Sequence, residues 1–176
     1  IDGTWYYFNV DGTKAIGWQY LGVWYYFDAS GAMQTGWLLD GATWYYLTSS
    51  GAMATGWQNI GGTWYYLNAG GAMQTGWLLD GTTWYYLTPS GAMATGWQNI
   101  GGAWYYFDAS GAMVTGWLLD GATWYYLTPG GSMATGWQMI GGTWYYFNAG
   151  GSMATGWVFD GVWYYMTSSG TMVTGW

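Results

Sequence analysis

The 176-residue sequence has no cysteine, no histidine and no glutamate, only two prolines, and one lysine with no arginine. Each absence excludes something. Without cysteine no disulfide can staple the fold, and no thiol can serve as nucleophile or soft metal ligand. Without histidine the commonest general base is missing. No stretch of 18 or more apolar residues occurs, so no membrane-spanning helix is expected. The net charge of −7, eight aspartates against Lys14, argues against nucleic acid and anionic membrane surfaces as partners. A cationic ligand would meet a favourable field over about one Debye length, ~8 Å at physiological salt. Carboxylate pairs remain as conceivable acid–base machinery. Asp40, Asp80, Asp120 and Asp160, however, recur every 40 residues in equivalent connectors. Four copies of one aspartate read as four turn residues, and their spacing makes no calcium loop. No catalytic residue, metal site or cofactor is expected.

Aromatics and glycine take the place of what is missing, with 18 Trp, 19 Tyr and 33 Gly. They are arranged as nine copies of one unit. Each copy opens on Trp-Tyr-Tyr and closes on Gly-Trp, with its two tryptophans 13 residues apart, from Trp5 and Trp18 to Trp163 and Trp176. The connectors vary. Trp37 and Trp44 are seven apart, whereas Trp18 and Trp24, and Trp157 and Trp163, are six apart. A fixed unit with an adjustable joint is the mark of a repeat array. In Trp64-Tyr65-Tyr66-Leu67 every residue favours a strand. Asn68-Ala69-Gly70-Gly71 then fits a type I turn followed by a left-handed glycine. The segment from Ala72 to Trp77 is expected to return as the second strand, making each copy a hairpin of about 20 residues. Alternation places Trp64 and Tyr66 on one face and Tyr65 and Leu67 on the other. An isolated hairpin is marginal in water, so residues 1–176 are expected to form a single all-β array of nine stacked hairpins. The connectors also alternate between LLDG and QNIGG, a two-copy period of 40. The first copy departs from the pattern, with Lys14 in the place of methionine and Ile16 in the place of threonine. Ile1 to Thr4 read as the end of a connector, and the chain as a module of a longer protein.

The middle tyrosine of each triplet, such as Tyr65, is expected to serve core or inter-hairpin packing. The tryptophans exceed what a thin hairpin stack can bury. Ring faces left open at the junctions would make concave aromatic sites. Such a site suits a quaternary ammonium, which has no N–H to donate and is held by ring quadrupoles at ~0.5–2 kcal/mol per ring. Exposed tryptophan also stacks on sugar rings, so composition leaves both ligands open.

The unit GWQNIGGTWYYLNAGGAM, Gly56 to Met73, resembles the choline-binding (cell-wall-binding type 1) repeat, and the likeness extends over the whole chain. The resemblance implies a left-handed β-solenoid with about three hairpins per turn. It also implies choline cages built from the Trp of Gly-Trp, the Trp of the following triplet, and the last Tyr of the next triplet. Carried over, the cages are Trp18, Trp24 and Tyr46; Trp37, Trp44 and Tyr66; Trp57, Trp64 and Tyr86; and Trp77, Trp84 and Tyr106. Beyond these come Trp97, Trp104 and Tyr126; Trp117, Trp124 and Tyr146; and Trp137, Trp144 and Tyr165. Trp157 and Trp163 would form an incomplete eighth site. A methionine of the Gly-x-Met step is expected to close each cage, its donor copy left open. The implied role is a non-catalytic module that binds choline on teichoic acids, outside the cell and associated with the wall of a Gram-positive organism. The same fold could instead serve a glucan or other wall glycan, or act as a self-associating scaffold.

Overall fold

The computed structural model describes residues 3–174; Ile1, Asp2, Gly175 and Trp176, the closing tryptophan of the ninth copy, lie outside them. Among the described residues there are strands of four or five residues and no helix. The repeated hairpins are present, but their strands pair differently from the sequence-based expectation. Gly56–Ile60 runs antiparallel to Thr63–Leu67, with Trp57 opposite Tyr66, Gln58 opposite Tyr65 and Asn59 opposite Trp64. The connector is therefore the hairpin turn. Gly61 and Gly62, at φ of 63° and 87°, supply the two positive values of a type I′ turn, whose twist matches that of the flanking strands.

The polar turn is also formed. The Gly71 N–H donates to the Asn68 carbonyl at 2.8 Å, and Gly71 has a φ of 80°. Its return segment makes only the single bridge Leu67–Met73 rather than a strand pair. Bonds from the Asn68 N–H to the Ala72 carbonyl at 2.9 Å and from the Gln74 N–H to the Tyr66 carbonyl at 2.8 Å flank that bridge, so the Met73 N–H between them points away from Leu67. The Met73 N–H donates to the Trp44 carbonyl of the preceding copy at 2.8 Å. The same bond runs from Met53 to Trp24, from Met133 to Trp104 and from Met153 to Trp124.

The chain divides into two compact units. One comprises the chain up to Leu78 with Tyr86–Met93, and the other Leu79–Tyr85 with the chain from Ala94 onward. In the first, Gly17–Tyr20 pairs with Trp24–Phe27, Gly36–Asp40 with Thr43–Leu47, and Gly56–Ile60 with Thr63–Leu67. In the second, Gly96–Ile100 pairs with Ala103–Phe107, Gly116–Asp120 with Thr123–Leu127, Gly136–Ile140 with Thr143–Phe147, and Gly156–Asp160 with Val162–Met166. The strands Gly76–Asp80 and Thr83–Leu87 contribute residues to both units.

Within each unit successive hairpins stack with unlike faces together. One face carries the two tryptophans and the last tyrosine; the other carries the middle tyrosine and the residue after the triplet. That residue is the core: Leu47, Leu67, Leu127, Phe147 and Met166 are fully buried. Phe147 shows the contact, lying 5.8 Å from Trp117 and 6.3 Å from Tyr126 of the preceding hairpin. Burying one such side chain contributes about 1.5–3 kcal/mol, and the array repeats the gain at each junction.

Gly91 has a φ of 84° and lies against the side chain of Met73, which a Cβ would overlap; Gly96 has a φ of 68° and open space. Gly96→Ala should cost about 1–2 kcal/mol of backbone strain, and Gly91→Ala about 1–3 kcal/mol more for overpacking, both read from urea unfolding. In the turn at Asp108, the Ser110 hydroxyl donates to the carboxylate at 2.6 Å, and the N–H groups of Ser110 and Ala112 donate at 2.8 and 3.1 Å. These bonds, the Ser110 hydroxyl first, hold the Asp108 carboxyl below its ordinary range. A pKa lowered by folding contributes stability above the unfolded value, lost as pH falls through and below about 4. Thermal unfolding between pH 6 and 2.5 should show a smaller acid-side loss for Asp108→Asn than for the parent chain.

Candidate functional site

Trp37 and Trp44 lie on partner strands of one hairpin, where Trp37 faces Tyr46 and Leu39 faces Trp44. This register puts the two indoles diagonally on one face. They meet nearly perpendicular, at 6.2 Å and 89°. The next hairpin presents its opposite face, so Tyr65 comes to 4.8 Å from Trp37 at 72°. Met73, from the same copy as Tyr65, closes the space. The result is a cavity of about 370 Å³ walled by Trp37, Trp44, Tyr65 and Met73, with Ser90 at its rim. Sites of ~300–1,000 Å³ hold small molecules.

The same cavity recurs. Trp18, Trp24, Tyr45 and Met53, with Gly70, enclose about 330 Å³. Trp117, Trp124, Tyr145 and Met153, with Ser168 and Ser169, enclose about 400 Å³. Trp137, Trp144, Tyr164 and Met172 enclose about 350 Å³. Trp97 likewise meets a middle tyrosine, Tyr125, at 4.9 Å. The first tryptophan of each triplet keeps an open ring face, with Trp44, Trp64, Trp84, Trp104 and Trp124 each 41–44% exposed.

The tryptophan pairs expected from sequence thus come together at these four cavities, but the tyrosine wall is corrected. At these four cavities the middle tyrosine lines the wall, and Tyr46, Tyr66, Tyr146 and Tyr165 do not. Tyr46, Tyr66, Tyr86, Tyr106, Tyr126, Tyr146 and Tyr165 pack edge-on against Trp37, Trp57, Trp77, Trp97, Trp117, Trp137 and Trp157 of their own hairpins, at 5.0–5.3 Å. The cause is geometric. Head-to-tail stacking brings unlike faces together, so the tyrosine that reaches the preceding tryptophans must come from the leucine face. The two-glycine connectors were the signal for the strand pairing within a hairpin; the wall depends in addition on which faces meet between hairpins. Trp157 and Trp163 stand 6.3 Å apart at 89°, in the same mutual arrangement, but are 59% and 65% exposed.

In the first copy a cation lies on the equivalent ring, its ammonium also donating to the Ser30 carbonyl at 3.3 Å. Lys14 occupies the methionine position, and its Nζ lies 4.0 Å from the ring centroid of Tyr6, the equivalent of Tyr45 and Tyr65. Here the chain's own cation sits on the middle tyrosine. Among the described residues no cluster of three or more histidine, cysteine, aspartate or glutamate side chains could hold a metal, and no helix is long and apolar enough to cross a membrane.

Comparison with known families matches a choline-binding repeat to residues 21–55, 54–96, 94–135 and 134–175, and a cell wall binding repeat to residues 1–14. The chain belongs to the choline-binding repeat family. Among solved structures, CbpJ from Streptococcus pneumoniae TIGR4 is 44% identical with a TM-score of 0.89, over 97% of this chain and 70% of that one. Choline binding protein F from Streptococcus pneumoniae is 43% identical with a TM-score of 0.87, over 96% of this chain and 61% of that one. A pneumococcal cell wall endolysin from phage Cp-1, complexed with choline, is 42% identical with a TM-score of 0.51, over 68% of this chain and 37% of that one. Comparison with curated proteins gives no match. Each longer choline-binding repeat match spans about two copies of the unit, which is also the period of the connector alternation.

Proposed function

We propose that this chain is a non-catalytic attachment module that holds choline in the cavities between consecutive hairpins. The observation that carries the reading is the repeated cavity of two perpendicular indoles, one phenol ring and a methionine, reinforced by the lysine ammonium on the matching tyrosine of the first copy. A trimethylammonium group offers no N–H, so hydrogen-bonding walls would gain nothing from it. Ring faces supply ~0.5–2 kcal/mol each through their quadrupoles, and the thioether adds polarizable contact with the methyl groups. One such site is weak. Several on one polymer add avidity without any tight single site. Choline borne on teichoic acids of a Gram-positive wall is the polymer that suits this arrangement, and it would place the module outside the cell. The chain covers only part of the relatives above, and the endolysin carries its repeats beside other modules; any activity of the whole protein would reside outside this array.

Millimolar choline should raise the melting temperature, because a ligand bound only by the folded state stabilises it by mass action. Glucan oligosaccharides should leave it unchanged. A shift with glucan and none with saturating choline would reverse the assignment. The cavity wall is tested by a neighbouring pair of variants. Tyr65→Leu should lower the number of cholines bound in calorimetry by one, at a stability cost like that of Tyr66→Leu because its ring also packs edge-on against Trp37. Tyr66→Leu should leave the count intact and cost about 1–3 kcal/mol through lost ring packing on Trp57.

A further inference from the structure

The two-copy alternation of the connectors has a structural counterpart behind the cavities. The indole Nε1 of Trp18 donates to the Asp40 carboxylate at 2.9 Å, that of Trp97 to Asp120 at 2.9 Å, and that of Trp137 to Asp160 at 2.8 Å. In each case the aspartate ends the first strand of the next hairpin. At the junctions of Trp37 and Trp117 the corresponding residues are Ile60 and Ile140, which close their strands opposite Thr63 and Thr143 as Asp40 does opposite Thr43. Isoleucine has no acceptor to offer. The Trp18 and Trp137 indoles are therefore bonded to a carboxylate, and the matching strand position at the junctions of Trp37 and Trp117 holds a hydrocarbon side chain.

We propose that Asp40, Asp120 and Asp160 are positioning residues that divide the cation sites into two alternating classes of different ligand preference. This rests on the choline reading above. The carboxylate acts in two ways. Its charge-assisted bond fixes the rotation of the indole whose face forms the cavity wall. Its negative charge, placed at the positive edge of the indole, strengthens the hold on a cation over the ring and opposes an anion beside it. Aspartate-backed sites favour free choline over phosphocholine, whose phosphate would meet the carboxylate's field. Isoleucine-backed sites discriminate less. With Lys14 the only cationic side chain, no other charge in the sequence offsets this difference.

The test is the ratio of choline to phosphocholine affinity, measured by calorimetry on the full chain. One variant carries Asp40→Asn, Asp120→Asn and Asp160→Asn, together with Asp80→Asn, which has the same connector position in the sequence. Asparagine keeps a carbonyl acceptor for the indole and removes the charge. The ratio in the more selective class should fall about threefold to tenfold, in line with one charge acting near a ring-bound cation. A purely structural aspartate would weaken both ligands alike and leave the ratio unchanged, and that result overturns the proposal. The reciprocal variant, Ile60→Asp with Ile140→Asp, should raise the ratio at the sites of Trp37 and Trp117. It decides the question if the asparagine variant fails to fold, and no gain there counts against the proposal. If the parent chain binds no choline at all, the choline reading fails and this proposal falls with it. Choline binding with an unmoved ratio removes the present proposal alone.

Discussion

A two-stranded hairpin has two faces and too few residues to bury either, so this fold depends on contact between the tryptophan face of one hairpin and the leucine face of the next. That contact buries Leu47, Leu67 or Phe147 completely. It cannot bury the large rings beside them to the same degree. The backbone bond from the methionine N–H of the Gly-x-Met step to the preceding triplet, as from Met73 to Trp44, keeps the spacing constant. Glycine at the next turn lets the methionine side chain lie flat, as Met73 does against Gly91. The cavity is what remains between faces held at this distance by a buried leucine on one side and a methionine on the other.

The binding geometry therefore follows from the stacking and needs no separate element. Two perpendicular indoles come from a single register, and the third ring comes from the neighbour. Repetition then multiplies a weak site, which suits attachment to a polymer better than capture of a scarce small molecule. The alternating connectors vary the electrostatics behind the ring while its front stays constant. Trp18 and Trp37 face the same kinds of side chain across their cavities, Tyr45 with Met53 and Tyr65 with Met73, yet one indole is bonded to Asp40, whereas the matching strand position at the other junction holds Ile60.

Much of this was legible in the sequence. The tryptophan spacing marked the copies, alternation assigned Tyr65 and Leu67 to one face and Tyr66 to the other, and the resemblance supplied the tryptophan pairs. Three matters were not. The strand partner of Thr63–Leu67 is Gly56–Ile60, because Gly61-Gly62 makes a tighter hairpin turn than Asn68 to Gly71. The tyrosine wall depended on which faces meet between copies, a relation between residues about 20 apart that no local pattern encodes. Tyr66 came from the resemblance, which implies the last tyrosine; the contact of Tyr65 with Trp37 shows that unlike faces meet. The donor of the methionine was hidden for the same reason.

In the function proposed above, a quaternary ammonium sits between consecutive hairpins against the middle tyrosine. Crystals of this chain soaked in choline would reveal its place by diffraction. A trimethylammonium group should lie enclosed by Trp37, Trp44, Tyr65 and Met73, with equivalent groups at Trp18, Trp117 and Trp137. Choline lodged against Tyr66 instead, or cavities empty at saturating choline, would contradict it.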